Sequence, residues 1–124
     1  MATYAFTDIH GNYNLWKQIK NYCAEDDVLF FLGDAIDRRP DGIKIMQEMF
    51  LDKRIIYLLG NHEDLLLDYI EIGIGTVMRD KQEMELIKYN ESLDTLRDYQ
   101  RLSMFDKEDL VYNLKNKTFI LFKS

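Results

Sequence analysis

The residues best suited to chemistry fall in three short stretches, Asp8-Ile9-His10-Gly11, Gly33-Asp34-Ala35-Ile36-Asp37-Arg38 and Gly60-Asn61-His62-Glu63. Taken singly, each is commonplace. An aspartate after a strand is usually a turn residue or a helix cap, and Asn-His is usually a capped turn. Together they say more, because each follows an apolar run and both histidines of the chain are among them. If those runs are neighbouring parallel strands, Asp8, His10, Asp34, Asn61 and His62 converge on one crevice. That crevice, at the carboxyl ends of the strands, is where open α/β sheets bind ligands. The donors are then two carboxylates, an imidazole and an amide oxygen. Mixed oxygen and nitrogen sets of this kind suit Mn²⁺, Fe or Zn²⁺ better than thiolate-loving ions. Asp34, on the central strand, is placed to bridge two ions about 3.5–4 Å apart, which would clamp a phosphoryl oxygen and activate a bridging water.

The elements that must position these residues are legible from periodicity. Thr3-Tyr4-Ala5-Phe6-Thr7 reads as a first strand. Leu15, Trp16, Ile19, Tyr22 and Cys23 recur at helical spacing and form the stripe of an amphipathic helix. Val28 to Leu32 is a continuous apolar run, as expected of a strand covered on both faces. Pro40-Asp41-Gly42 opens a second helix with Ile43, Met46, Met49 and Phe50 inward. Arg54 to Leu59 is a third strand, and a third helix runs from Glu63 to about Ile72, ended by Gly73-Ile74-Gly75. The order β-α-β-α-β-α predicts an α/β fold on a largely parallel sheet with right-handed crossovers.

Past Asp80 the pattern becomes more polar and more helical. Met84 and Ile87 mark one helix, and Leu93, Leu96 and Tyr99 another. A short helix carrying Leu110 and Leu114 begins near Asp106, read as its N-cap. Thr118 to Phe122 reads as a final strand. No repeat and no Pro- or Gly-rich linker divides the chain, so residues 1–124 are expected to form one domain.

Composition narrows the class. A hydrophobic fraction of 47% with 31% charged residues is globular. A formal net charge of −6 argues against a broad surface for nucleic-acid phosphates, with Arg38-Arg39 the one local basic spot. The single cysteine, Cys23, excludes an internal disulfide and suggests a reducing compartment; its apolar neighbours predict a buried structural thiol. No basic segment followed by an apolar run opens the chain, and no run approaches the ~20 residues a membrane span needs. A soluble, cytoplasmic protein is expected.

The three stretches, in this order and at this spacing, resemble the calcineurin-like metallophosphoesterases. Within them the chain is similar to the branch of serine/threonine protein phosphatases, phage protein phosphatases and diadenosine tetraphosphatases. The resemblance covers about the first half of the chain and implies the N-terminal half of an αββα sandwich. It implies that Asp8, His10 and Asp34 hold a first metal, with Asp34 bridging to a second that Asn61 also binds. It implies that His62 is the general acid that protonates the leaving oxygen, held by Asp37. A carboxylate behind an imidazole fixes its tautomer and keeps it protonated. Arg38, with Asn61, would bind the phosphate, its planar fork suiting phosphate oxygens. The expected cofactors are divalent ions, Mn first, with Fe, Zn or Ni as alternatives.

The chain also departs from the family. The family supplies two further histidines to the second metal, whereas this chain has only His10 and His62. A second phosphate-binding arginine is absent, and Arg39 stands where Gly is usual. The segment Asn90 to Leu96 faintly resembles one that in the family carries glycines after the Asn. These departures leave the first metal site complete and the second with only Asp34 and Asn61. They also predict uncovered apolar sheet surface and an open edge. Three explanations stand side by side: a truncated or split gene product, a site completed by self-association or a second chain, or a reduced one-metal form. The expected function is a metal-dependent phosphoesterase acting on phosphomonoesters, phosphoproteins or nucleotide polyphosphates through an activated water. Its alternative is a catalytically impaired metal- and phosphate-binding module.

Overall fold

A computed structural model describes residues 1–72 and 91–119. Over these the chain runs β1 (Thr3–Phe6), α1 (Tyr13–Tyr22), β2 (Val28–Phe31), α2 (Gly42–Leu51), β3 (Ile55–Leu59) and α3 (Asn61–Ile72). Then follow α4 (Leu93–Arg101), α5 (Met104–Lys115) and β4 (Thr118–Phe119). The strands pair in sequence order β1-β2-β3-β4, each neighbouring pair parallel. Leu29 faces Tyr4 on one side and Ile55 on the other, and Phe31 faces Phe6 and Tyr57 in the same way. The expected α/β fold on a parallel sheet is therefore present. The expected helix around Met84 and Ile87, the glycines 73 and 75, and the last residues of the final strand lie outside the described residues.

Strand order 1-2-3 with crossovers of one hand places every crossover helix on the same face of the sheet. Burial follows that rule. Leu29, Phe31, Tyr57 and Leu59 are buried, while Val28, Phe30 and Leu58 are half-buried and Ile56 is 43% exposed. The covered face packs against Trp16 of α1, Ile45, Met46 and Met49 of α2, Leu66 and Tyr69 of α3, and Leu96, Leu110 and Leu114 beyond. Fully burying an Ile, Leu or Met side chain stabilises by about 1.5–3 kcal/mol, so this one cluster supplies most of the driving force. The expectation that β2 is covered on both faces needs correction. An apolar run by itself does not distinguish one covered face from two, and the described helices pack on one.

Two further expectations change for local reasons. Leu15 and Tyr22 belong to the apolar stripe of α1, yet they are 38% and 77% exposed. They sit seven residues apart on the flank of α1 that reaches past the edge strand β1, where Tyr22 meets Tyr4 at a ring distance of 5.9 Å. Asp106 is the third residue of α5, and the cap is Ser103, whose Oγ accepts from the Asp106 backbone N–H at 3.1 Å. An acidic residue in the first turn suits the helix dipole, which is why Asp106 looked like a boundary.

Polar clasps tie α1 to α2 and to the segment that leads into β3. Glu48 of α2 accepts from Tyr13 Oη at 2.8 Å, Trp16 Nε1 at 3.2 Å and Lys20 Nζ at 2.9 Å, all on α1. Arg54 makes a two-pronged contact to Asp52 and donates to the carbonyls of Lys20 and Cys23 at the end of α1. Cys23 is buried, and burial pushes its thiol pKa up. No helix among the described residues is long and apolar enough to cross a membrane.

Candidate metal centre

Past the strand ends, the loops continue to track one another. Asp8 N–H donates to Gly33 O at 3.1 Å, His10 N–H to Asp34 O at 3.0 Å and Gly11 N–H to Ala35 O at 2.7 Å. The β1 loop is thereby laid along the β2 loop. The β2 and β3 loops approach more closely still. A Cβ on Gly33 would stand 2.2 Å from Gly60 N, and one on Gly60 would stand 2.5 Å from Asp34 Oδ1. Only glycine permits that contact, and Gly33 also takes φ +95. The motif glycines thus let two loops touch so that their polar neighbours can share a site.

The result is the convergence expected from strand order. One ligand atom each from Asp8, His10 and Asp34 lies within 4.8 Å of the others. His10 is 3% exposed, and its Nδ1 is 2.8 Å from the backbone oxygen of Ile36. A carbonyl only accepts, so Nδ1 carries the proton. When the ring is neutral, its free lone pair is on Nε2, 3.3 Å from Asp8 Oδ1. Two acceptors facing each other with no proton between them are stabilised by a cation. An imidazole whose other nitrogen is pinned to a carbonyl is the usual form of a metal-bound histidine. The residues present therefore fit a divalent ion.

Alongside stands a second unit. His62 Nδ1 lies 2.5 Å from Asp37 Oδ2, with side-chain exposures of 14% and 2%. The hydrogen bond His62 donates to Asp37 raises the His62 pKa above its ordinary value, against the opposing effect of burial, and the Asp34 and Glu63 carboxylates also raise it. The His10 and His62 rings are 4.8 Å apart, edge to face. His62 N–H donates to Asp34 Oδ1 at 3.0 Å, tying this unit to the first. Asn61 is exposed at the first position of α3, and Arg38 is exposed beside Asp37. The structure thus joins Asp8, His10 and Asp34 in one group and Asp37 with His62 in another, and places Asn61 and Arg38 next in chain to the second.

Strain is concentrated here. Asp8, His10, Asp34, Asp37 and Arg38 all have positive φ, between +43 and +73. Left-handed backbone at non-glycine residues persists only where the surroundings over-determine it, and it clusters at functional sites.

Periodicity did not single out the residue that holds the loops in place. Glu63 is 0% exposed. Its Oε1 accepts from the N–H groups of Asp34 and Gly60 at 2.8 and 2.9 Å. Its Oε2 accepts from Ala35 N–H and Tyr57 Oη, both at 2.8 Å. One buried carboxylate thus bonds the β2 loop, the β3 loop and the sheet. A sequence signal existed. Gly60 caps α3, accepting from Asp64 N–H, and a Glu at the third helical position reaches back to the cap N–H as in a capping box. Thr95 and the Glu91 carbonyl were also missed; they bind the backbone N–H groups of Asp37 and Arg38. Glu91, where the resembling family has glycine, takes φ +56.

A sequence model of the calcineurin-like phosphoesterases matches residues 1–123. The chain belongs to that family. A symmetrical bis(5'-nucleosyl)-tetraphosphatase of Wigglesworthia glossinidia brevipalpis is 39% identical over 77 residues, covering 58% of this chain and 28% of that protein. One from Buchnera aphidicola subsp. Acyrthosiphon pisum (strain 5A) is 28% identical over 113 residues, covering 88% of this chain and 40% of the relative. The crystal structure of a provisionally assigned diadenosine tetraphosphatase superposes with a TM-score of 0.57 at 16% identity, over 94% of this chain and 46% of that one. That likeness shows a shared fold. The chain spans less than half the length of each of these relatives.

Proposed function

We propose that this phosphoesterase-family chain carries the metal- and phosphate-binding half of a hydrolase that cleaves nucleotide polyphosphates. The observation that carries the reading is the meeting of Asp8, His10 and Asp34 with the Asp37–His62 pair at one end of the sheet. The relatives named as bis(5'-nucleosyl)-tetraphosphatases favour dinucleoside tetraphosphates over phosphoproteins or simple monoesters. Asp8, His10 through Nε2, and Asp34 would hold the first ion, with Asp34 and Asn61 serving the second. Manganese is the first choice for an oxygen-rich set with one imidazole, with Fe, Zn or Ni as alternatives. Such ions supply charge to the phosphoryl oxygens and acidify water.

The chain's own groups do the rest. Asp37 accepts the hydrogen bond from His62 Nδ1–H, which leaves the proton on Nε2 as the one that would pass to the departing oxygen. Arg38 is the cation beside that pair and would bind phosphate oxygens in a two-pronged contact. Asp34 would hold the metal and, by accepting from His62 N–H, ties the acid's backbone to that same carboxylate. The single cysteine supports a cytoplasmic setting.

A second reading has its own support. The chain's two histidines are both committed, so the second ion lacks imidazole ligands from this chain. The half-open sheet face bearing Phe30 and Ile56 supports completion by further polypeptide, a second copy or another chain. Without it the chain would bind metal and phosphate with little turnover. The test is hydrolysis of diadenosine tetraphosphate, a phosphoserine peptide and p-nitrophenyl phosphate with Mn²⁺, with the oligomeric state measured on the same sample. Preferred cleavage of the tetraphosphate supports the hydrolase. Tight Mn²⁺ binding with no cleavage of any of the three supports the binding module and sinks the enzyme reading.

A further inference from the structure

Behind the His62–Asp37 pair lies a small closed pocket lined by Asp37, His62, Leu66, Tyr69, Ser92 and Thr95. It is where the segment before α4 meets the loop after β2, and nothing in the reaction outlined above uses that segment. Asp37 N–H donates to Thr95 Oγ1 at 3.1 Å, and Arg38 N–H donates to Glu91 O at 3.0 Å. These bonds fall on two consecutive non-glycine residues with φ +73 and +71. Such a pair does not hold itself; each N–H needs a fixed acceptor to keep the backbone left-handed. Thr95 and Ser92 are both 2% exposed. Asp37 Oδ1 and Ser92 Oγ are buried without a hydrogen-bond partner among the described residues, although both residues line the same pocket. A hydroxyl that can turn toward an unsatisfied carboxylate oxygen is a donor in reserve.

We propose that Thr95, assisted by Ser92, is a positioning residue for the acid of this site. It holds the Asp37–Arg38 turn so that Oδ2 meets His62 Nδ1 and the Arg38 side chain stays beside the phosphate. This rests on the phosphoesterase reading for its kinetic consequence, but not for its structural one.

The experiment compares Thr95→Val, which keeps the shape and removes the acceptor, with Thr95→Ser, which keeps the hydroxyl. Two readouts are taken on each. The first is kcat/KM on an alkyl phosphate and on p-nitrophenyl phosphate, whose leaving group needs little protonation. The second is the downfield proton resonance of the His62 Nδ1–H···Asp37 bond, which needs no turnover. Thr95→Val should lower kcat/KM on the alkyl phosphate about tenfold more than on the aryl one, and Thr95→Ser should restore it. In a His62→Ala background the same change should cost nothing further. The resonance should shift or vanish in Thr95→Val and persist in Thr95→Ser. Equal loss on both substrates, or full additivity with His62→Ala, would overturn the positioning role. If no variant turns over any substrate yet the resonance responds, the phosphoesterase reading fails and the positioning stands. If turnover is present and the resonance is unmoved, the reverse holds. Should Thr95→Val not fold, Thr95→Ala carries the same comparison.

Discussion

At His10 the two ring nitrogens have different neighbours, and the difference decides the chemistry. A carbonyl at one nitrogen fixes the tautomer, and a carboxylate at the other leaves a place for a cation. His62 is the mirror case. Its Nδ1 faces a buried carboxylate, which favours the protonated ring and suits an acid. The two histidines stand 4.8 Å apart, yet their hydrogen bonds differ, and the proposed reading gives them different tasks. For His62 the expected outcome of His62→Ala is a loss of about 10²–10⁴ in kcat on substrates with a poor leaving group. On an activated aryl phosphate the loss should be much smaller. Steady-state rates on the two substrate types decide it, and an equal loss on both would refute the general-acid role.

At the scale of elements, the site is three loops held in register by backbone bonds, two glycines and one buried glutamate. Strand order brings Asp8, His10, Asp34 and His62 to one end of the sheet, because consecutive parallel strands must end side by side. What the pattern of residues did not reveal was the clasp. Glu63 looked like an ordinary helix-start acid, since a carboxylate's partners are set by loops that approach only after folding. Thr95 was invisible for the same reason, being 58 residues from Asp37. Leu15 and Tyr22 were legible as an apolar stripe, but a stripe does not say where the sheet ends. Changing Glu63 to Gln keeps the shape but sets an amide N–H₂ against donors it once accepted. The expected cost is roughly 2–4 kcal/mol, read as a lower denaturant midpoint. Bound metal should weaken in step, because Asp34 and Gly60 lose their common anchor. Unchanged stability and unchanged metal affinity would show that Glu63 is not the clasp.

A second element-scale expectation concerns acid. The hydrogen bonds from Arg54 hold the Asp52 carboxyl below the usual carboxylate range. A depressed folded-state value means stability that is present above the unfolded pKa and is lost as pH falls through the folded one. Asp52→Asn should therefore lower Tm at neutral pH and flatten the acid limb of Tm against pH below about 4. A parallel shift of the whole curve would contradict that origin.

At the scale of the molecule, the described residues form a sheet with one face covered by helices and the other half open. Parallel sheets are normally covered on both faces, and the relatives are more than twice as long as this chain. The family match spans residues 1–123 and Asp8, His10 and Asp34 form a group fit for one ion, while a second ion would have Asp34 and Asn61 among the described residues. On the proposed reading the division of labour is uneven, with the first ion and the proton donor held by this chain and further ligands supplied by other polypeptide. The most direct test is Mn²⁺ bound per chain at equilibrium, measured for the wild type and for Asp34→Asn. The account predicts at least one tightly held ion in the wild type and an affinity at least tenfold weaker in the variant. Equal metal content in the two proteins, or none in the wild type, would contradict it.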